Sequence, residues 1–264
     1  MILQRLVSGI VLRPSRHGIP SGKDELLLEG LDGTVQVWRE RTAQQADACL
    51  PPQAFFLRFL GSRGRAEMAT LDPADRLDDV PAEVWTVNPP SFGRTSGPPD
   101  LARYAAVARE SLAALLRHAE GRSVWVCGKS IGTAAALHAV AHCGAEGVML
   151  RNVVPLQQLL RARSAWRSAG LARVAASAIP VELDCIANAR RIAAQGVFLV
   201  SRGDRVSPPP FQRAVIDAFA GPRQVLEIAG GHNERALQPD DEIAYRALVR
   251  RCVRPSTGSV SSAG

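Results

Sequence analysis

Along the chain, short apolar runs alternate with longer segments of helical spacing. Glu25 to Glu29 and Thr34 to Arg39 are two such runs on either side of Leu31-Asp32-Gly33-Thr34. Asp-Gly between two runs of this kind predicts an antiparallel hairpin. Ala54 to Leu60 is a further run, ended by Gly61-Ser62-Arg63-Gly64, and Glu83 to Asn88, Val124 to Val126, Gly147 to Leu150, Val197 to Val200 and Gln224 to Ile228 repeat the pattern. Asp100 is placed to cap a helix running to about Ala119, with Leu101, Tyr104, Ala108, Leu112 and Leu115 on one face. The Ala-rich stretch Thr133 to Ala141, Pro209 to Ala220 and Asp240 to Arg251 supply later helices. Strands alternating with helices in this order predict an α/β fold with a mostly parallel, right-handed sheet behind antiparallel opening strands.

Three stretches break the alternation. Residues 1–23 contain Pro14, Gly18, Pro20 and Gly22 and are expected to be an extended lead-in. Residues 152–195 read as a short helical cap inserted after the sixth strand, with helices over Leu156 to Arg163 and Ala165 to Ala178, broken at Gly170 and stopped at Pro180. Residues 255–264 are rich in Ser and Gly and are expected to be disordered. Gln44 to Gln53 is expected to be a loop, and Asp72 to Pro81 a helix or loop. The folded domain therefore spans 24–254.

Composition narrows the class. A chain of 264 residues with 46% apolar content can bury one full core. The formal charge of +7 is spread along the chain, with pairs such as Arg190-Arg191 but no long basic run and no interleaved aromatics. That pattern predicts a basic solvated surface rather than a specific nucleic-acid site. No stretch approaches the roughly 18–20 apolar residues that span a bilayer. Met1 to Leu12 is apolar but interrupted by Gln4 and Arg5, and it lacks a small-residue cleavage site, so no signal peptide is expected. Cysteines 49, 127, 143, 185 and 252 are odd in number with no C-x-x-C spacing, which predicts neither disulfide framework nor zinc site and fits a reducing cytoplasm.

The candidate chemistry begins at Gly128-Lys129-Ser130-Ile131-Gly132, a G-x-S-x-G placed between a predicted strand and a predicted helix. There a sharp turn holds the middle Ser on a strained backbone and aims its hydroxyl outward, while the flanking glycines let strand and helix approach. The N–H of Ile131 then faces any oxyanion that forms. A Ser hydroxyl needs a base, and the base an acid, expected in the order Ser, acid, His after successive strands. Of His17, His118, His138, His142 and His232, only His232 lies downstream of Ser130 and just after a strand. His138 and His142 stand four apart, a spacing that suits a metal, but no Asp or Glu joins them nearby. Asp204 follows the strand Val197 to Val200 and is the expected acid, with Asp184 and Glu234 as competitors. The N–H of Ser62 is the expected second oxyanion donor. Lys129 is expected to be solvated or to make a cap contact.

With these motifs in order, the chain resembles the α/β-hydrolase superfamily from Glu25 to Val253. The likeness is greatest to small-cap bacterial serine hydrolases and to eukaryotic α/β-hydrolase domain proteins, some of them lipid thioesterases. Val84 to Gly97 is similar to the loop after its fourth strand, Gly128 to Thr133 to its elbow, and Gly203-Asp204-Arg205-Val206 and Gly231-His232-Asn233 to its acid and base loops. Two positions depart from the pattern. The usual His-Gly after the third strand is Leu60-Gly61, and Asn88 stands where Asp is frequent. The resemblance implies a serine hydrolase acting on a carboxylic ester or thioester of modest size, without metal or organic cofactor. Leu156, Leu159, Leu160 and Trp166 either line its pocket or form the core of the cap. An amidase or peptidase with the same triad, and a non-catalytic binding or scaffold protein, remain open.

Overall fold

The computed structural model describes residues 2–30, 33–42, 51–164, 176–234 and 236–253. Eight strands form one sheet: β1 (Asp24–Gly30), β2 (Gly33–Arg41), β3 (Ala54–Phe59), β4 (Ala82–Val87), β5 (Ser123–Lys129), β6 (Gly147–Arg151), β7 (Gln195–Ser201) and β8 (Arg223–Ile228). Their spatial order is β1-β2-β4-β3-β5-β6-β7-β8. β1 pairs antiparallel with β2 and β2 with β4, as the hairpin signal predicts, and all later pairings are parallel. The tip of the hairpin, residues 31–32, lies outside the described residues, as do most of the anticipated 44–53 loop and the 255–264 tail.

Alternation along the central strands sorts side chains onto two faces. Phe55, Leu57, Phe59, Val124, Val126 and Leu150 pack beneath α2 (Leu101–Ala119) and α3 (Gly132–Cys143). Phe56, Trp125, Met149, Val197 and Leu199 face the closing helix, named α7 below (Pro239–Val253), which covers them with Tyr245, Leu248 and Val249. Asp100 caps α2 as expected, accepting from the N–H groups of Ala102 and Arg103. Asp72 to Pro81 holds only a short 3-10 turn, Ala74–Arg76.

The lead-in is where sequence reading fails. Ile2–Leu12 is a helix, α1, not an extended segment. Its apolar positions have helical spacing, and tertiary contacts hold it. Val7 and Leu12 enter the core, and Ser8 Oγ accepts from the N–H of Leu101 at the start of α2.

The segment anticipated as a cap divides. α4 (Leu156–Ser164) follows β6, and residues 165–175, including Trp166, lie outside the described residues. The turn Val181–Leu183 and α5 (Cys185–Ala189) pack instead on α3, and α5 also on α6 (Pro209–Ala218). Leu183, Cys185, Ala189 and Ile192 belong to the main core. The second half of the insertion is therefore part of the domain wall. Leu156 and Leu160 pack against that core and Leu159 is buried, and of the four anticipated residues Leu156 alone among the described ones lines the central cavity.

Candidate active site

The chain steps from β3 outward to β4 and returns to place β5 on the other side of β3. Such a switch point leaves a crevice at the carboxyl ends of the two strands, where ligands bind in open α/β sheets. Two turns meet there. After β5, Ser130 adopts φ 55°, the left-handed conformation expected of an elbow, and its N–H donates to the carbonyl of Arg151 on β6. Non-glycine residues held this way store about 1–3 kcal/mol of strain, which the surrounding packing must enforce. The enforcing contacts are close. A Cβ on Gly132 would lie 2.2 Å from the Phe59 carbonyl oxygen, and one on Gly128 would lie 2.7 Å from Thr133 Cα. After β3, the second turn brings Gly61 against the nucleophile candidate: a Cβ there would lie 3.2 Å from Ser130 Cβ.

Ser130, His232 and Asp204, separated widely in sequence, come together in one hydrogen-bonded line. Ser130 Oγ lies 2.8 Å from His232 Nε2, and His232 Nδ1 lies 2.7 Å from Asp204 Oδ2. Both His232 and Asp204 are buried. The competitors serve elsewhere: Asp184 caps α5, accepting from Ile186 and Ala187, and Glu234 is exposed. His138 and His142 stack in α3, where burial first and the neighbouring His142 second push the pKa of His138 down to about 4. Among the described residues no three His, Cys, Asp or Glu side chains group as a metal site.

Four further residues hold this line, and no motif in the sequence marks Gln212 or Asn152 among them. Gln212, on α6, donates its amide to Asp204 Oδ2 at 3.1 Å and to the Ser207 carbonyl at 2.7 Å. The N–H groups of Val206 and Ser207 occupy the other oxygen, Oδ1, each at 2.8 Å. Asn152, at φ 54°, donates to the His232 carbonyl and accepts from the N–H of Ser201. It thus ties the base loop to the ends of β6 and β7. The Asn152 contacts cross 80 and 49 residues, so only the fold reveals them, whereas those on Asp204 come from within eight residues of it.

The loop after β3, the expected oxyanion loop, has Leu60 before its Gly61, and other groups brace it. Ser62 Oγ donates to the Val11 carbonyl, and the N–H of Arg63 donates to the Leu12 carbonyl at 3.0 Å. The carboxyl end of α1 therefore carries the loop. Behind it, Arg65 and Glu67 form a buried pair. Asn88 Oδ1 accepts from the N–H of Ala66, and its amide donates to Glu67 at 3.1 Å and to Gln36 at 2.7 Å. An Asp here has nothing to donate to Glu67, so the departure at Asn88 fits its carboxylate neighbour. Burial opposes the charge of Glu67, but the Arg65 guanidinium, its own N–H and Asn88 outweigh burial and hold its pKa below the ordinary 4.5.

Ser130 and His232 open into a cavity of about 1030 Å³ lined by both turns, the end of α1, Leu156 and the loop after β3. Lys129 lines it as well. Ile10, Met68 and Val206 are exposed apolar residues on its wall. No helix among the described residues is long and apolar enough to cross a membrane.

No protein-family model and no curated protein matches the sequence. Solved structures do. An esterase from Pyrococcus furiosus aligns with TM-score 0.67 and 10% identity, covering 91% of this chain and 95% of that one. An acetyl xylan esterase from Paenibacillus sp. R4 aligns with TM-score 0.64 and 15% identity, covering 94% and 92%. A serine hydrolase without a lid from Xanthomonas campestris aligns with TM-score 0.57 and 13% identity, covering 90% and 97%. Full-length similarity at such identities speaks for architecture: the chain has the α/β-hydrolase fold.

Proposed function

We propose that the protein is a serine hydrolase that cleaves a carboxylic ester or thioester through an acyl-enzyme. The observation that carries this reading is the unbroken line from Ser130 Oγ to His232 Nε2 (2.8 Å) and from His232 Nδ1 to Asp204 (2.7 Å). Ser130 Oγ bonds to the substrate carbonyl carbon as its proton passes to His232 Nε2. Asp204 fixes the imidazole tautomer and stabilises the imidazolium. The carbonyl oxygen becomes an oxyanion, held by the N–H groups of Ile131 and Ser62. As the intermediate collapses, the bond to the alcohol or thiol breaks and the departing atom takes the proton from His232. Water then attacks the acyl-Ser130 ester, gives a proton to His232, and the acid leaves as Ser130 is reprotonated.

The support is of two kinds. Gly61 packs on Ser130, so the turn that carries Ser62 lies next to the nucleophile. The structural relatives include esterases and serine hydrolases. Oxyanion donors of this kind contribute about 10²–10³ in rate each.

The test is turnover of p-nitrophenyl esters and acyl thioesters from short to long chains, for the native protein and for His232→Ala and Asp204→Asn. The reading expects a burst of p-nitrophenol and a loss of about 10³-fold or more in kcat in either variant. Native turnover that survives both substitutions excludes the assignment.

A further inference from the structure

The inner face of α1 packs on the domain, and its outer face does not. Val7, Ser8 and Leu12 are buried, while Leu3, Leu6 and Ile10, spaced i, i+3 and i+7, form an exposed apolar stripe on the other side. Leu6 is 60% exposed and Ile10 62%. The stripe leads into the cavity that holds Ser130. Ile10 lines that cavity, as do Arg13 just past the end of α1 and Arg63 and Met68 after β3. All four are exposed, Met68 at 67%, so they belong to the rim of the cavity rather than to its floor. Apolar groups gathered on a surface and framed by polar ones mark a place where something docks.

The frame is cationic. Arg5, Arg13 and Arg63 are exposed on or beside the stripe, and residues 1–23 hold no Asp or Glu. Of the carboxylates after β3 and along the cavity, Glu67 pairs with Arg65, and Asp72 and Asp75 pair with Arg76. A two-fold contact between copies of this chain would set the patch against itself and bring like charges together. An anionic lipid surface complements both features of the patch, since apolar side chains enter the boundary of headgroups and chains while cations meet the lipid charges.

We propose that the outer face of α1, with the rim of Ile10, Arg13, Arg63 and Met68, docks on an anionic lipid surface. The helix lies along the surface and does not span it. Docked in this way, the cavity opens toward the lipid. An acyl ester dissolved there reaches Ser130 without crossing water, a consequence that rests on the hydrolase reading, whereas the docking itself does not.

The test is co-sedimentation of the full chain with vesicles of phosphatidylcholine and phosphatidylserine, against vesicles of phosphatidylcholine alone. The native protein should bind the anionic vesicles more tightly, and less so as NaCl rises. Leu3→Asn with Leu6→Asn should weaken binding by about tenfold or more. Arg5→Gln with Arg13→Asn should weaken it by about fivefold for each charge removed. Asn suits the left-handed backbone of Arg13, at φ 56°, and both double variants should keep the native far-UV spectrum. Failure of the native protein to bind anionic vesicles would overturn the proposal, and so would binding that both double variants retain in full. A native dimer that becomes a monomer in the Leu3→Asn, Leu6→Asn variant, without vesicle binding, would assign the face to a second copy instead. For the consequence, the native protein should cleave p-nitrophenyl palmitate carried in anionic vesicles faster than that variant does, with water-soluble p-nitrophenyl acetate cleaved equally by both. Equal rates on the vesicle-borne ester would overturn the link between docking and the cavity. Vesicle binding without turnover of any ester would remove the hydrolase reading and support the docking.

Discussion

At the scale of single residues, the site depends on buried polar groups paired with one another along the chain. Asn88 shows how tight this accounting is. Its amide touches the Glu67 carboxylate, and its oxygen holds the N–H of Ala66 behind the loop after β3. Asn88→Asp places a second carboxylate 3.1 Å from the first and removes the donor. We expect a loss of about 3 kcal/mol, read as a lower urea midpoint. An unchanged midpoint would mean that the network carries little stability. Glu67 has its own pH signature. Its folded pKa lies below 4.5, so its ion pair contributes stability above the unfolded pKa, and that contribution is lost as pH falls through the folded value. Stability should drop on acidification below about pH 4.5, and Glu67→Gln should flatten this part of the curve. Identical acid profiles for the two proteins would contradict the assignment.

At the scale of elements, α1 has a function that its position in the chain conceals. Its last two carbonyls accept from Ser62 and Arg63, and its inner face enters the core through Val7 and Leu12. The turn after β3, with Leu60 before its Gly61, is thus steadied by a helix. Removal of residues 1–12 takes away both acceptors. We expect kcat to fall about tenfold to a hundredfold, since small misplacements of a reacting group have effects of this order. KM should change less, and the far-UV signal of the sheet should remain. Full kcat in the shortened chain would show that the loop holds itself. The elbow illustrates the opposite case, an element specified locally. Its strand, glycines and helix are contiguous, so the sharp turn at Ser130 is readable from a short stretch of sequence.

At the scale of the molecule, that contrast explains what was legible. The sheet, its antiparallel opening and the order Ser130, Asp204, His232 follow from periodicity and turn residues, because each signal lies within a few residues of what it specifies. α1 was hidden by Pro14, Gly18 and Pro20, which mark the end of a helix as readily as an extended arm. The pattern of the insertion after β6 suits one cap, yet Leu183, Cys185 and Ala189 lie in the core. An apolar helical pattern says that a face is covered, not whether it covers the mouth of a site or the flank of a domain. Asn152, which ties the base loop to β7, was illegible for a related reason. Its neighbours are set by strand order, which brings the ends of distant stretches together.

The central claim is that Ser130 is an activated nucleophile. The most direct measurement is reaction with a fluorophosphonate followed by intact mass and peptide mapping, on the native protein and on Ser130→Ala. The account predicts a single adduct on Ser130, absent from the variant and strongly slowed in His232→Ala. A folded native protein that forms no adduct, or an adduct that maps to another serine and persists in Ser130→Ala, would contradict it.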